Sequence, residues 1–327
     1  MTKRLCAALL ASAAFATPAT AEHHAAPDCD RDCLIALADA YASGVVADDP
    51  GAVRWTDNAV VVENLAAIAP GEGIFDSVTA GPASEFVIHV ADPVSQQVGL
   101  LALMSEGEED VLVGIRLQLG EDGAVAEAEH LVARDLSPPQ LANLQTPRPR
   151  LMEPVPAAYM DSRARMIWLG ESYYDSLDNN NSLHSNMADD CERRENGFQT
   201  ARNPMVRESN FGNGQFDPVF AYLGGLGCAA QMDTNMWEYI TRIENRRVEI
   251  ADPVTGLVWG VSHFEHDFDK QDFALIGVPW ADNRHMEYDP FDMPAIHIYK
   301  VWGGAIHEIE ALGIVMPYQS DRFFEEE

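Results

Sequence analysis

The sequence predicts an α+β protein made of two similar domains. Its 327 residues are enough for two cores of ordinary size. Three stretches recur later in the chain in the same order, and the first pair aligns without a gap. The matched pairs are Leu34–Asn64 with Met166–Asn196, Val90–Val94 with Ile250–Val254, and Gly123–Glu129 with Gly304–Glu310. A repeat spaced by more than about 100 residues is too long for a solenoid and indicates a duplicated domain.

Each half begins with a helical pattern and continues with strand patterns, which is the order of an α+β fold. In the first half, Asp30–Val46 places its apolar residues on one side of a helix. The strands expected after this helix are Ala59–Asn64, Phe86–Ala91, Gly99–Met104, Val111–Leu119 and Ala124–Val132.

The second half repeats this order with an insertion. Its first helix is expected at Ser162–Leu177, and a further helix at Gly227–Tyr239. A short helix ending at Asp190 leads into the strand Cys191–Asn196, which precedes a polar, Gly/Asn-rich insertion, Gly197–Asp217. The remaining expected strands are Ile243–Ile250, Leu257–His266, Ala295–Val301 and Ala305–Ile314.

A proline-rich stretch, Ser137–Pro156, separates the two halves and is typical of a linker. We therefore expect a first domain at residues 28–136, a linker at 137–160 and a second domain at 161–320.

The first 21 residues have the pattern of a secretion signal. Lys3 and Arg4 form a basic start, Cys6–Phe15 is apolar, and Ala19–Ala21 offers the small residues of a cleavage site. The apolar stretch is too short to span a bilayer. We expect a secreted or periplasmic protein.

The chain carries 52 acidic and 21 basic side chains, a net charge of −31. Such a charge repels nucleic acid and anionic membrane surfaces, so neither is expected as a partner. It is typical of a well-solvated or salt-adapted surface; binding of cations is the alternative.

Four cysteines follow the leader, and an even number in an exported protein indicates disulfides. Three connectivities are possible; we favour Cys191–Cys228 and the local pair Cys29–Cys33. A thiol metal site is disfavoured because no Cys-x-x-Cys pair occurs.

The order of elements, with the tandem arrangement that starts at Cys29-Asp-Arg-Asp-Cys33-Leu34, resembles a known superfold. It is similar to the nuclear transport factor 2-like proteins, which include ketosteroid isomerase and the polyketide-cyclase-like proteins, and to uncharacterised secreted proteins of fungi and proteobacteria. The resemblance implies two tandem cones, each a curled antiparallel sheet wrapped on a long N-terminal helix. Enzymes, binding modules and assembly domains all use this scaffold.

The same resemblance implies candidate catalytic residues in the second domain. Tyr173 matches the helix tyrosine that lends a phenol to an oxyanion, and Glu195 matches the strand carboxylate that moves a proton. His297 falls where ketosteroid isomerase has a protonated aspartic acid. This departure retains a hydrogen-bond donor but argues against steroid isomerisation itself.

The residues themselves support acid–base chemistry in that domain. Alternation along the strand puts Cys191, Arg193 and Glu195 on one face. A carboxylate enclosed in an apolar cavity has a raised pKa, which makes it a usable general acid or base. The alternative is structural, since Tyr41 and Glu63 recur in the first copy: a tyrosine closing a core hydrogen bond and a glutamate pairing with an arginine.

Polar and aromatic residues are more concentrated in the second copy than in the first, which favours a cavity there. His263 is a further catalytic candidate because Glu265 shares its face, and the loop around Trp280 suits a cavity rim. The candidates for substrate binding are Arg193, Trp259, Trp280, Asp282 and Trp302.

A metal site at His263–Asp267 is the weaker hypothesis, because His263 and His266 lie on opposite faces of a strand. A nucleophile elbow, a phosphate loop and a dinucleotide fingerprint are all missing from the sequence. We therefore expect neither a metal nor a cofactor.

The leading hypothesis is a secreted, cofactor-independent lyase or hydrolase that cleaves a C–O bond in a small aromatic substrate, for instance a lignin-like β-aryl ether. Glu195 would move the proton, while Tyr173, His263 and His297 polarise oxygens. The alternative is a non-catalytic periplasmic module for ligand binding or assembly. The two copies are expected to pair with each other, with a homodimer as a further possibility.

Overall fold

The computed structural model describes residues 28–203, 218–267, 269–321 and 324, and it shows an α+β protein with two curled β-sheets. The predicted leader and most of the predicted insertion lie outside the described residues. In the first half, the elements are helices α1 (Arg31–Val46) and α2 (Ile74–Ser77) and strands β1 (Trp55–Glu63), β2 (Ala66–Ile68), β3 (Val87–Asp92), β4 (Gln97–Glu106), β5 (Glu109–Leu119) and β6 (Val125–Ala133).

The connecting stretch contains two short helices, α3 (Pro138–Asn143) and α4 (Pro149–Met152). The second half contains helices α5 (Arg163–Asp178), α6 (Pro218–Gly225) and α7 (Cys228–Met232) and strands β7 (Met187–Glu195), β8 (Phe198–Ala201), β9 (Arg242–Asp252), β10 (Leu257–His266), β11 (Asp272–Ala274), β12 (Asn283–His285), β13 (Phe291–Trp302), β14 (Ala305–Gly313) and β15 (Met316–Pro317).

The two large sheets have the same strand order. The first runs β2-β1-β6-β5-β4-β3, and the second runs β8-β7-β14-β13-β10-β9. The neighbours β1 and β6 are parallel, as are β7 and β14, so the expectation of wholly antiparallel sheets is wrong at this one pairing in each half. Neither sheet closes into a barrel within the described ranges.

Helices α1 and α5 begin at matching side-chain caps. The Asp30 carboxylate accepts from the Cys33 amide and the Ser162 hydroxyl accepts from the Arg165 amide, which satisfies an otherwise free amide at each N-terminus. Each helix buries one face under its own sheet, and the tyrosine on that face, Tyr41 or Tyr173, is enclosed.

Some local predictions differ from the structure. The helix expected over Gly227–Tyr239 covers only α7, and α6 was not predicted. The strand expected from Cys191 begins earlier, at Met187, so the short helix expected before it is reduced to the 3₁₀ turn Ser182–His184. Acidic residues in front of Cys191 lie on the more exposed side of β7. Because a strand also alternates between a buried and an exposed face, these residues fit a strand as well as the helix that was expected.

The two sheets pack back to back through an apolar layer shared by both halves. Leu101 and Leu112 of the first sheet meet Trp259 and Ile298 of the second in one buried cluster. The side chain of Trp259 lies against Gly99, where a Cβ atom would come within 2.4 Å of the indole ring.

Reciprocal ion pairs bind the halves together. Arg31 Nε lies 2.9 Å from Asp252, and Arg163 Nε lies 2.6 Å from Asp92. Both arginines open the first helix of their own half, and both aspartates lie in the repeated Ala-Asp-Pro stretch of the other half. The contact therefore has the form of a two-fold dimer interface within one chain.

Both favoured disulfides are confirmed, with Cα–Cα distances of 5.4 Å for Cys29–Cys33 and 5.6 Å for Cys191–Cys228. Disulfides are typical of oxidising compartments. Among the described residues, none of the helices combines the length and apolar character needed to cross a membrane.

Candidate functional site

A cavity of about 900 Å³ lies on the inner face of the second sheet. Helix α5 and strands β7, β10, β13 and β14 supply most of its walls, and the start of the connecting stretch forms part of its rim. Its lining includes Asp135, Gln140, Tyr173, Glu195, Phe198, Thr200, Trp237, Tyr239, Phe264, His266, Phe291, Met293, His297 and Ala311. The volume suits a small organic molecule, and the lining combines aromatic rings with a few polar groups, as ligand sites do.

Three of the four predicted catalytic residues lie in this cavity. Tyr173 comes from the buried face of α5, Glu195 from the end of β7, and His297 from the inner face of β13. Alternation along β7 turns Cys191 and Arg193 inward, as predicted, and the Cys191–Cys228 disulfide ties this strand to α7.

Arg193 lies behind the cavity wall and contacts both Glu195 and Tyr173. Its Nε lies 2.7 Å from Glu195 Oε1 and donates to the Thr200 hydroxyl at 2.9 Å. Its Nη1 donates to the Tyr173 hydroxyl at 3.3 Å, and its Nη2 donates to Gln231 Oε1 at 2.8 Å. A wholly buried guanidinium is tolerated because these acceptors and the Glu195 charge satisfy it.

The surroundings of Glu195 differ from the dry, apolar enclosure that the sequence suggested. Its side chain is 42% exposed and lies at the cavity mouth, paired with Arg193. The pairing with an arginine is the contact that the structural alternative predicted, but the same carboxylate also lines the cavity. Arg193 is therefore a charge partner rather than a substrate contact.

The two imidazoles of the cavity are held neutral. Burial, with a smaller effect of the Arg193 charge, lowers the pKa of His297 to about 3. Its Nδ1 lies 3.3 Å from the Tyr174 hydroxyl. Burial lowers the pKa of His266 to about 4, and its ring stacks on Phe291 with centroids 4.0 Å apart. Each ring can exchange hydrogen bonds with a ligand without carrying a charge at neutral pH.

The phenols of the cavity are kept protonated. Burial raises the pKa of Tyr173 despite the opposing effect of Arg193. Burial and the nearby Glu195 charge raise the pKa of Tyr239 to about 12. Because Arg193 donates to the Tyr173 oxygen, the Tyr173 proton is left for an acceptor elsewhere.

His263 and Trp259 lie outside the cavity, which corrects two predictions. Trp259 belongs to the apolar layer shared with the first half, and His263 Nε2 lies 3.3 Å from Asp292 Oδ2 of β13. His266 takes the place expected for His263. Every residue of β10 is buried, so alternation separated the two faces correctly but could not tell which one faces the cavity.

Trp280, Asp282 and Trp302 also lie away from the lining. The Trp280 side chain is 59% exposed and packs against Tyr222, and the Asp282 carbonyl accepts from the Leu275 amide. Trp302 stacks on His307, with ring centroids 3.4 Å apart, at the far end of β13. They are therefore not substrate contacts in this cavity, which corrects the prediction for all three.

The sequence reading missed Trp237, Tyr239 and Phe291, which supply much of the aromatic wall. The first two were assigned to a helix that ends at Met232, and Phe291 was assigned to a loop although β13 begins there. The missed rim residues Asp135 and Gln140 lie at the end of the first half and in α3. In the sequence, the only sign that these segments line a cavity is their high content of aromatic residues.

The matching position in the first half is filled. There, His130 is the cross-strand neighbour of Glu63, and its Nε2 lies 2.8 Å from the Tyr41 hydroxyl. Ala311 is the cross-strand neighbour of Glu195. A methyl group thus stands in the second half where an imidazole bridges tyrosine and glutamate in the first.

Among the described residues, no group of three or more His, Cys, Asp or Glu side chains is arranged to hold a metal ion. His263 and His266 lie on opposite faces of β10, as alternation indicates.

The fold and the site define an α+β protein of two similar halves, the second of which holds a cavity lined by aromatic rings and a few polar groups. A family model described as a domain of unknown function, DUF8021, matches residues 159–313. This match covers the second half from α5 to β14 and so includes most of the cavity. No curated protein matches the chain.

Proposed function

We propose that the chain is a secreted enzyme that uses acid–base chemistry, without a cofactor, to cleave a C–O bond in a small aromatic substrate bound in the second half. The observation that carries the proposal is that Glu195 and the Tyr173 hydroxyl meet in one cavity and share Arg193. The signal-like leader and the two disulfides support export.

The roles follow from the hydrogen-bonding capacity of each group. Glu195 takes a proton, either from the carbon next to the ether carbon, which gives elimination, or from water, which gives hydrolysis. Tyr173 donates its proton to the oxygen that leaves as the C–O bond breaks, and His297 stabilises charge developing on a neighbouring oxygen. Protons and electrons balance in both routes, because the proton that Tyr173 gives up returns from Glu195 or solvent after release.

For the fold, we propose two tandem nuclear transport factor 2-like cones, at residues 28–136 and 161–320. The shared strand order, the matching helices α1 and α5 and the equivalent tyrosines support this assignment. The cavity lies between helix α5 and the inner face of the second sheet, which agrees with the cone that the resemblance implies.

The second candidate is a non-catalytic binding module. It is favoured by the ion pair of Glu195 with Arg193, because this contact gives the carboxylate a structural role that needs no proton transfer. In that case the cavity holds the aromatic molecule and releases it unchanged.

Product analysis separates the two candidates. The chain is incubated with a series of aromatic ethers, including lignin-like β-aryl ethers, and released phenols are measured by mass spectrometry beside ligand-induced thermal stabilisation. If the chain is an enzyme, phenol is released by the parent protein and not by Ala311→His. This change puts an imidazole into the cavity at the position that His130 occupies in the first half. Stabilisation without any product would support the binding module instead.

A further inference from the structure

The charges around the cavity restrict the charge that its ligand can carry. Among the described residues, the lining contains two carboxylates, Asp135 and Glu195, and neither lysine nor arginine. The chain as a whole carries a net charge of −31. An anion approaching the mouth is therefore repelled at long range and again at the rim.

Arg193 does not reverse this balance. Its guanidinium is fully buried, lies 2.7 Å from Glu195 and has its centre 4.7 Å from the centroid of the Trp237 ring. Its three nitrogens already donate to Thr200, Tyr173 and Gln231. An incoming carboxylate would have to break contacts that satisfy a buried cation, so the net attraction it gains is small.

The remaining polar groups of the cavity are neutral. Burial keeps both imidazoles uncharged at neutral pH, with the pKa of His266 near 4 and that of His297 near 3. Uncharged imidazoles and phenols hydrogen-bond to ether, hydroxyl and carbonyl oxygens but do not compensate a buried anion.

The geometry points to a ligand class: an uncharged, ring-bearing molecule with a hydrogen-bonding oxygen, bound in preference to the carboxylate of the same skeleton. This inference rests on the proposed function only in taking the cavity as the ligand site. It narrows that proposal, because aromatic acids are excluded as substrates while their neutral esters, amides and ethers are admitted.

A matched set of probes tests the inference. Isothermal titration calorimetry compares 2-naphthamide, 2-naphthoate and 2-naphthylmethylammonium at pH 7.5, in low and high salt. We expect the amide to bind at least about tenfold more tightly than the carboxylate, which corresponds to a coulombic cost of the size expected beside a fixed charge. Asp135→Asn should reduce the ratio of amide affinity to carboxylate affinity about two- to threefold at low salt and less at high salt. Asp57→Asn, at an exposed position of β1 in the first half, is the matched control and should leave this ratio unchanged.

Each outcome decides a separate question. The inference that the ligand is uncharged is wrong if the carboxylate binds as tightly as the amide, or if the ammonium binds more tightly than both. In either case the cavity remains the ligand site. If no probe binds, or if binding survives both Ala311→His and the second cavity-filling change Ala295→Leu in folded protein, the cavity is not the ligand site. The proposed function and this inference then both fall.

Discussion

At the scale of single residues, three substitutions between equivalent positions separate a filled core from a cavity. The second half has Arg193, His297 and Ala311 where the first has Val61, Ile115 and His130; the positions correspond by the repeat alignment and by equivalent cross-strand pairs. The retained pair, Tyr173 and Glu195, matches Tyr41 and Glu63. Two polar residues are thus the same in both halves, while the side chains around them differ.

The equivalent tyrosines give a matched pair of variants. Tyr173→Phe and Tyr41→Phe each remove one buried hydroxyl, which among the described residues is bonded to Arg193 or His130 respectively, so each should lower the free energy of unfolding by about 1–2 kcal/mol. Only Tyr173→Phe should also lower turnover, by about 10- to 100-fold, because only Tyr173 reaches the cavity. Urea unfolding and phenol release measure the two effects; equal turnover in both variants would show that Tyr173 is structural.

The buried histidines predict a loss of stability in mild acid. The unfolded chain protonates a histidine below about pH 6.5, whereas folded His266 and His297 stay neutral until about pH 4 and about pH 3. The unfolded state therefore binds more protons in this window, and the free energy of unfolding falls as pH falls, by about 1.4 kcal/mol per pH unit for each histidine. His297→Gln should remove one such contribution in urea titrations between pH 6 and pH 4. An unchanged slope would mean that His297 is not buried as a neutral ring.

At the scale of elements, the sequence predicted regular segments well and their orientation poorly. Strand β10 has the predicted bounds, α1 begins one residue later than predicted, and α5 begins and ends one residue later. The inward face of β10 was not predictable, because every residue of the strand is buried and both faces mix apolar with polar side chains. Trp237 and Tyr239 were missed for a different reason: they pack by tertiary contacts in a turn that imitates a helical pattern.

The two disulfides should contribute unequally. Cys191–Cys228 closes a loop with a sequence separation of 37 and joins β7 to α7, which carries the Arg193 acceptor Gln231. Replacing both its cysteines by alanine should cost about 4 kcal/mol, against about 2 kcal/mol for Cys29–Cys33, whose separation is 4. Ligand affinity should fall only with the first replacement. Denaturant unfolding measures the stability and calorimetry measures the ligand affinity. Equal losses of ligand affinity in both variants would show that the link from β7 to α7 does not support the site.

At the scale of the whole molecule, the halves share one buried layer and should unfold together. The reciprocal pairs Arg31–Asp252 and Arg163–Asp92 place a carboxylate of each half, buried to 1% exposure, against an arginine of the other. Removing either arginine leaves a buried carboxylate short of its partner, so Arg31→Ala and Arg163→Ala should each cost about 2–4 kcal/mol. Differential scanning calorimetry should show a single transition moved to lower temperature in both variants. Two separate transitions would show that the halves are independent.

The central claim is that Glu195 moves a proton in the second-half cavity while its counterpart Glu63 does not. Single-turnover phenol release from an accepted aromatic ether, measured for Glu195→Gln and Glu63→Gln in parallel, tests it most directly. The account predicts a loss of about 10²- to 10⁴-fold in the first variant and a rate within about twofold of the parent in the second. Full turnover by Glu195→Gln would contradict it.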